Sequence, residues 1–240
     1  MSVEILAVDG MPEIAEGDDI AAMIASRATL RDGDVVVVTQ KVVSKAEGRL
    51  VAIDPSDPEG ERARWAEREA VRIVARRGPV LITETAHGFV CANSGVDASN
   101  VEPGFLALLP PDPDASAARI RAGLREATGA DVAVIVSDTF GRAWRHGQID
   151  VAIGAAGIEP IRDYVGAKDS FGVEMHSTQI AVADEIAAAA ELVMGKTAGV
   201  PVAIVRGLDV RGDGSARSLV RRADEDLFRS GEGGEPDGDR

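Results

Sequence analysis

The segment densest in chemical groups is VSDTFGRAWRHGQID, which begins at Val136. An apolar run over 132–136 ends in Ser137, Asp138 and Thr139, so a buried strand is expected to deliver a carboxylate and a hydroxyl to its end. Arg142 and Arg145 follow within six residues of Thr139. Mg²⁺ or Mn²⁺ takes carboxylate, hydroxyl and phosphate oxygens, and guanidinium groups neutralise charge that moves among phosphate oxygens during transfer. Asp138, Arg142 and Arg145 are therefore the catalytic candidates, although an isolated Asp-Thr pair at a strand end equally forms an ordinary turn.

A second acidic candidate lies in ANSGVDASNV, where Asp97 and Asn100 are three residues apart and Gly95 allows close approach of backbone to a ligand. The same residues make turns and helix caps. Asp97 gains weight if it meets Asp138, because two carboxylates repel unless a cation lies between them. In KVVSKAEGR, Lys45 offers a point charge to phosphate and Ser44 a hydrogen-bond donor. In VMGKTAGVP, Gly195, Lys196 and Thr197 resemble part of a phosphate-binding P-loop. The pattern fails at position 190, where alanine replaces glycine, and a helix instead of a strand is expected before it.

Other chemistries find little support. His87, His146 and His176 lack metal-ligand spacing, Cys91 has no paired histidine in sequence, and neither a GxSxG elbow nor a GxGxxG turn is present. A lone cysteine excludes an intrachain disulfide and a cysteine zinc cluster, which suits a reducing cytoplasm. The net charge of -14 opposes nucleic-acid binding, and no stretch approaches the ~20 apolar residues of a membrane span.

The elements that must hold these groups alternate loosely between strand and helix, which predicts a mixed α/β or α+β fold. Strands are expected over 3–8, 35–38, 80–83, 132–136 and 200–205, and helices over 18–30, 61–77, 116–128 and 179–193. The uniformly apolar 35–38 run reads as a strand buried among others. The stretch 39–51 reads as β-like with polar interruptions, a place where a strand edge meets a ligand. A chain of 240 residues allows one large domain or two lobes; from 212 onward it turns charged and glycine-rich, with the last ten residues expected to fray.

In order along the chain, SKAEGR, ANSGVDASN, SDTFGRAWR, GQIDVAIGAAGI, ADEIAAAAELVMGK and PVAIVRG together resemble the coenzyme F420-0:L-glutamate ligase family, over most of residues 3–207. The resemblance implies a family-specific mixed α/β fold over 1–211, an intertwined homodimer, GTP as co-substrate, coenzyme F420-0 and L-glutamate as substrates, two divalent ions (Mg²⁺ or Mn²⁺), and K⁺. It implies that Asp97 and Asp138 hold one metal and Thr139 the other. It places nucleotide at Met11, Pro12, Glu13 and Ile14, at Gln40, Lys41 and Lys45, at Asn100, and at Met194, Gly195, Lys196, Thr197, Ala198, Gly199, Val200 and Pro201. One departure stands out: many relatives carry a metal-ligating glutamine where this chain has Lys196, and a protonated lysine cannot ligate a cation. The flavin-binding, nitroreductase-like domain that follows the ligase in some relatives is not expected here. The base that takes the amine proton is left open among Glu47, Glu174 and a phosphate oxygen. A same-fold ligase for another carboxylate, and a GTP-binding protein without catalysis, are the alternative readings.

Overall fold

Four consecutive valines, Val35 to Val38, are all fully buried, so this strand must be covered on both faces. The computed structural model describes residues 2–226 and Phe228, and shows how; the last ten residues, read above as frayed, lie outside the described residues. In chain order the elements are β1 (Glu4–Ala7), α1 (Ile20–Ala25), β2 (Val35–Thr39), α2 (Gln40–Ala46), β3 (Leu50–Ala52), α3 (Pro58–Glu69), β4 (Ala70–Arg77), β5 (Val80–Thr85), β6 (Val90–Ala92), β7 (Phe105–Ala107), α4 (Pro113–Thr128), β8 (Ala133–Arg142), β9 (Arg145–Ala156), β10 (Arg162–Asp163), β11 (Gln179–Ile180), α5 (Val182–Met194) and β12 (Val202–Arg206).

The main sheet has the order β1-β12-β2-β8-β9, with β2 and β8 parallel and every other neighbour antiparallel. Strand alternation sorts its side chains onto two faces. Val36, Val38, Val134, Val136, Val202 and Ile204 meet Ile20 and Ile24 of α1, Val42 and Val43 of α2, and Ile120 and Leu124 of α4. Val35, Val37, Ala133, Ile135, Ala203 and Val205 meet Ile186, Ala187, Ala190 and Met194 of α5. A second lobe carries the β4-β5-β6 sheet and its own small core of Ala66, Leu81, Val96, Leu106 and Leu108. The mixed α/β reading thus holds.

Two expected elements change identity. The stretch after β2 is helix α2 instead of a β-like segment, because Gln40, Val43 and Ser44 fall on one helical face and are buried there, which outweighs the β-preference of the valines. The helix expected over 61–77 ends at Glu69, and the β-branched residues beyond it form β4, which pairs antiparallel with β5 across a turn at Gly78 and Pro79. The start of α3 follows its signals: the Asp57 carboxylate accepts from the Gly60 N–H at 3.0 Å and Pro58 opens the first turn. The strand over 132–136 continues to Arg142, and the helix expected from 179 starts at Val182.

Candidate functional site

β2 and β8 run parallel until Thr39 pairs with Ser137; there β2 turns into α2 while β8 continues alongside β9 alone. A crevice outside the carboxyl ends of parallel strands is where open sheets of this kind accept ligands. A cleft of about 900 Å³ opens there, near the top of the roughly 300–1,000 Å³ range of small-molecule sites.

The alternation of β8 divides the floor of the cleft. Val134 and Val136 face the α1/α4 layer and Ala133 and Ile135 face α5, so Asp138 continues the first row and Thr139 the second. On the Asp138 side, Lys41 of α2 pairs with Asp97 at 2.8 Å. Asp97 also accepts from the Ser99 N–H at 2.9 Å and the Ser99 hydroxyl at 2.7 Å. Burial alone raises its pKa, but Lys41 and Ser99 outweigh burial and hold it below the ordinary carboxylate value. Asp138 goes the other way. Burial, reinforced by the charges of Asp97 and Asp150 and opposed by Lys41 and the Thr139 N–H, pushes its pKa up to about 7. A carboxylate held in that state has room for a cation beyond what Lys41 supplies.

On the Thr139 side lies Asp150, a residue that the sequence reading did not single out. It is 2% exposed and accepts from the Ser137 hydroxyl at 2.9 Å and the Thr139 hydroxyl at 2.6 Å. Lys196 reaches the same spot, donating to the Thr139 hydroxyl and lying 3.3 Å from Asp150 Oδ1. Asp150 is brought there by a bulge: Val136 faces Gly154 but Ser137 faces Ala152, leaving Ile153 as an extra residue in β9. The backbone N–H groups at this irregularity are taken up from both layers, that of Ala152 by Asp184 of α5 and that of Ala155 by Asp114 of α4.

The cleft can hold one divalent ion by the means Mg²⁺ usually finds in proteins, one or two carboxylates with phosphate supplying further oxygens. Asp97 and Asp138 fit that role. A second ion at Thr139 does not fit as well, because the Lys196 ammonium already takes up the oxygens there. Among the described residues no group of three or more His, Cys, Asp or Glu side chains converges to hold a metal without help.

Residues 10–207 match the F420-0:Gamma-glutamyl ligase family. The chain is 43% identical to the coenzyme F420:L-glutamate ligase of Methanothermobacter thermautotrophicus over 251 residues, covering 95% of this chain and 100% of that protein. It is 43% identical to the protein of that name from Archaeoglobus fulgidus, covering 95% and 97%, and 44% identical to that from Methanopyrus kandleri, covering 90% and 94%. This chain belongs to the F420-0:gamma-glutamyl ligase family.

Of the positions that the family resemblance pointed to, Met11, Pro12, Glu13, Ile14, Gln40, Lys41, Lys45, Asn100, Asp138, Thr139, Gly195, Lys196, Thr197, Gly199, Val200 and Pro201 line the cleft. Lys45, itself 9% exposed, is paired with Glu13 across it. Asn100 donates to the Lys196 carbonyl at 3.2 Å and so joins the second lobe to the 195–201 loop. Five of the positions read from the sequence are outside the lining, and one of them, Asp97, is tied to it by its ion pair with Lys41. Met194 is 1% exposed in the α5 core, and Ala198 is exposed on the loop without lining the cleft. Arg142 and Arg145 close the β8–β9 hairpin, about 13 Å along the strand from Asp138. There Arg142 donates to the carbonyls of His146 at 2.6 Å and Gly147 at 3.4 Å, so within one chain neither arginine reaches the cleft.

Ser44 is fully buried and donates to the Leu108 carbonyl at 2.6 Å, which makes it a tie between lobes instead of a phosphate donor. Gly95 serves packing: a Cβ there would meet Leu109 at 2.8 Å. His87 stacks on Phe89 at 5.3 Å and Cys91 is buried with its thiol pushed up to about 12, chiefly by burial and then by Asp138, so neither behaves as a ligand or nucleophile. No helix among the described residues is long and apolar enough to cross a membrane.

Proposed function

We propose that this protein joins L-glutamate to coenzyme F420-0 and lengthens the resulting γ-linked tail, with GTP as the phosphoryl donor. The observation that carries this reading is the meeting of Asp138 and Thr139 with Lys41, Lys45 and Lys196 in one cleft at the end of the parallel β2–β8 pair, with Asp97 paired to Lys41, in a chain of this family.

A carboxylate resists attack by an amine because it is already anionic and offers a poor leaving group. Transfer of the γ-phosphoryl group of GTP to the substrate carboxylate, with GDP leaving, gives an acyl phosphate; the glutamate amine then attacks the acyl carbon and phosphate leaves. Asp97 and Asp138 would hold Mg²⁺ or Mn²⁺, and the ion would supply positive charge to the transferring group. Lys41 fixes the Asp97 carboxylate at 2.8 Å and, with Lys45, places positive charge along the wall where the phosphates lie. Glu47 is engaged by Ser116 at 2.5 Å and by Arg119, and Glu174 is exposed outside the cleft. The proton released by the amine therefore goes to an oxygen of the acyl phosphate. K⁺ and assembly as a homodimer belong to the same proposal. The exposed side chains of Val71, Ile73, Val80 and Val90 on the β4-β5-β6 sheet are apolar surface that such an assembly can cover.

Mass spectrometry of coenzyme F420-0 incubated with the protein, L-glutamate, GTP, Mn²⁺ and K⁺ tests the proposal, with Asp138→Ala as control. Glutamate-sized additions with GDP release, absent from the control, are the expected result. GTP binding without any addition would overturn the substrate assignment.

A further inference from the structure

Lys196 occupies a position that oxygens have prepared for a cation. Its ammonium donates to the Thr139 hydroxyl, lies 3.3 Å from Asp150 Oδ1, and is 3.9 Å from Glu191 Oε1. Asp150 is the buried member of this group, and apart from the ammonium its carboxylate takes hydrogen bonds, among the described residues, from the neutral hydroxyls of Ser137 and Thr139. A buried carboxylate without a cation is costly, and Lys196 is the basic side chain that reaches it. The backbone holds the lysine there. Asn100 donates to its carbonyl at 3.2 Å, and the preceding Gly195, at φ 57°, lets the chain turn out of α5 directly into the cleft wall.

The pleat of β8 sets this group apart from Asp138, which faces the other layer together with Lys41 and Asp97. The cleft thus has one position where carboxylates await an added cation and another where the chain supplies its own. An ammonium has no lone pair with which to bind a metal, and a divalent ion bonded to Thr139 would sit against a like charge.

We propose that Lys196 is a built-in cation that takes the place of a second divalent ion, so that the enzyme works with one divalent ion per nucleotide, held by Asp97 and Asp138. This rests on the phosphoryl-transfer reading above and narrows it: Lys196 contributes the second positive charge, tethered to the 195–201 loop and present whatever the metal concentration. It departs from the two-ion expectation that the family resemblance carries.

The test counts Mn²⁺ retained by the full-length protein in equilibrium dialysis with a non-hydrolysable GTP analogue, for the wild type, Lys196→Gln and Lys196→Arg. Expected are one Mn²⁺ per bound nucleotide in the wild type and in Lys196→Arg, which keeps the charge, and two in Lys196→Gln, whose carboxamide oxygen can ligate. Two ions in the wild type, or a Lys196→Gln count unchanged at one, would overturn the inference while leaving the phosphoryl-transfer reading intact. A wild-type protein that binds no guanine nucleotide would overturn that reading, and this inference with it.

Discussion

Replacing Asp138 by asparagine should make the metal-free protein more stable while ending ligation. In the folded chain the pKa of Asp138 is raised from 3.8 to about 7, first by burial. A raised carboxyl pKa means that the folded state holds its proton more tightly than the unfolded state, so stability is fully present below pH 3.8, declines as pH rises toward 7, and is level above. At about 1.36 kcal/mol per pH unit, the interval from pH 5.5 to 7 corresponds to a loss of about 2 kcal/mol in the wild type. Asparagine carries no charge to bury, and its carbonyl oxygen can still accept from the Thr139 N–H. The advantage of Asp138→Asn over wild type should therefore widen by up to about 2 kcal/mol between pH 5.5 and pH 8, or roughly 4–8 °C in Tm for a domain of this size. Thermal denaturation in a chelating buffer at several pH values measures it. Adding Mn²⁺ at pH 8 should then raise the wild-type Tm and leave the variant unmoved, because metal binds the ionised carboxylate. A difference between the two proteins that stays flat with pH, or that shrinks toward pH 8, would refute the argument that Asp138 is an uncompensated charge waiting for a cation.

Four further outcomes are expected. Lys41→Met removes the main cationic influence on Asp138, so the pH midpoint of Mn²⁺ binding, followed by titration calorimetry, should move upward from about 7; an unchanged midpoint would show that Lys41 does not set the charge balance. Arg206→Ala takes from Asp34, which is 1% exposed, two 2.8 Å bonds and its countercharge and leaves it the 2.8 Å bond from the Arg31 N–H; chemical denaturation should show a loss of about 3 kcal/mol. Gly154→Ala drives a Cβ to 2.2 Å from the Pro113 carbonyl and should cost at least about 1–3 kcal/mol by the same measurement, with the β9 bulge displaced. Arg142→Ala and Arg145→Ala should each change stability by less than about 0.5 kcal/mol and leave the affinity for a guanine nucleotide within twofold, since both side chains lie on the exposed hairpin end.

Local rules carried much of the fold. The 35–38 and 132–136 runs, and the start of α3 at Asp57 and Pro58, follow directly from burial pattern and cap chemistry. The failures have a common cause: α2 and β4 are decided by what they pack against, which a window of sequence does not contain. At the site, ordered motifs pointed to the residues that line the cleft, because those lie on strand ends and turns with their own composition. Asp150 escaped because it depends on register. Arg142 pairs with Arg145, and an uninterrupted ladder from there would bring Gln148 opposite Thr139; the shift beyond Gly141 brings Asp150 instead. Arg142 and Arg145 stand apart from the cleft for the converse reason, being near Asp138 in sequence but far along an extended strand of the same chain.

The extra residue in β9 has a genetic consequence. Without Ile153, Gly154 and Ala152 would become neighbours opposite Val136 and Ser137, so the ladder would turn regular and Asp150 would stay opposite Thr139. One residue inserted between 150 and 153 would instead push Asp150 a place along, opposite Phe140 and onto the other face, so a library of single-codon changes read out by ligase activity should tolerate deletion of Ile153 and reject insertions beside it.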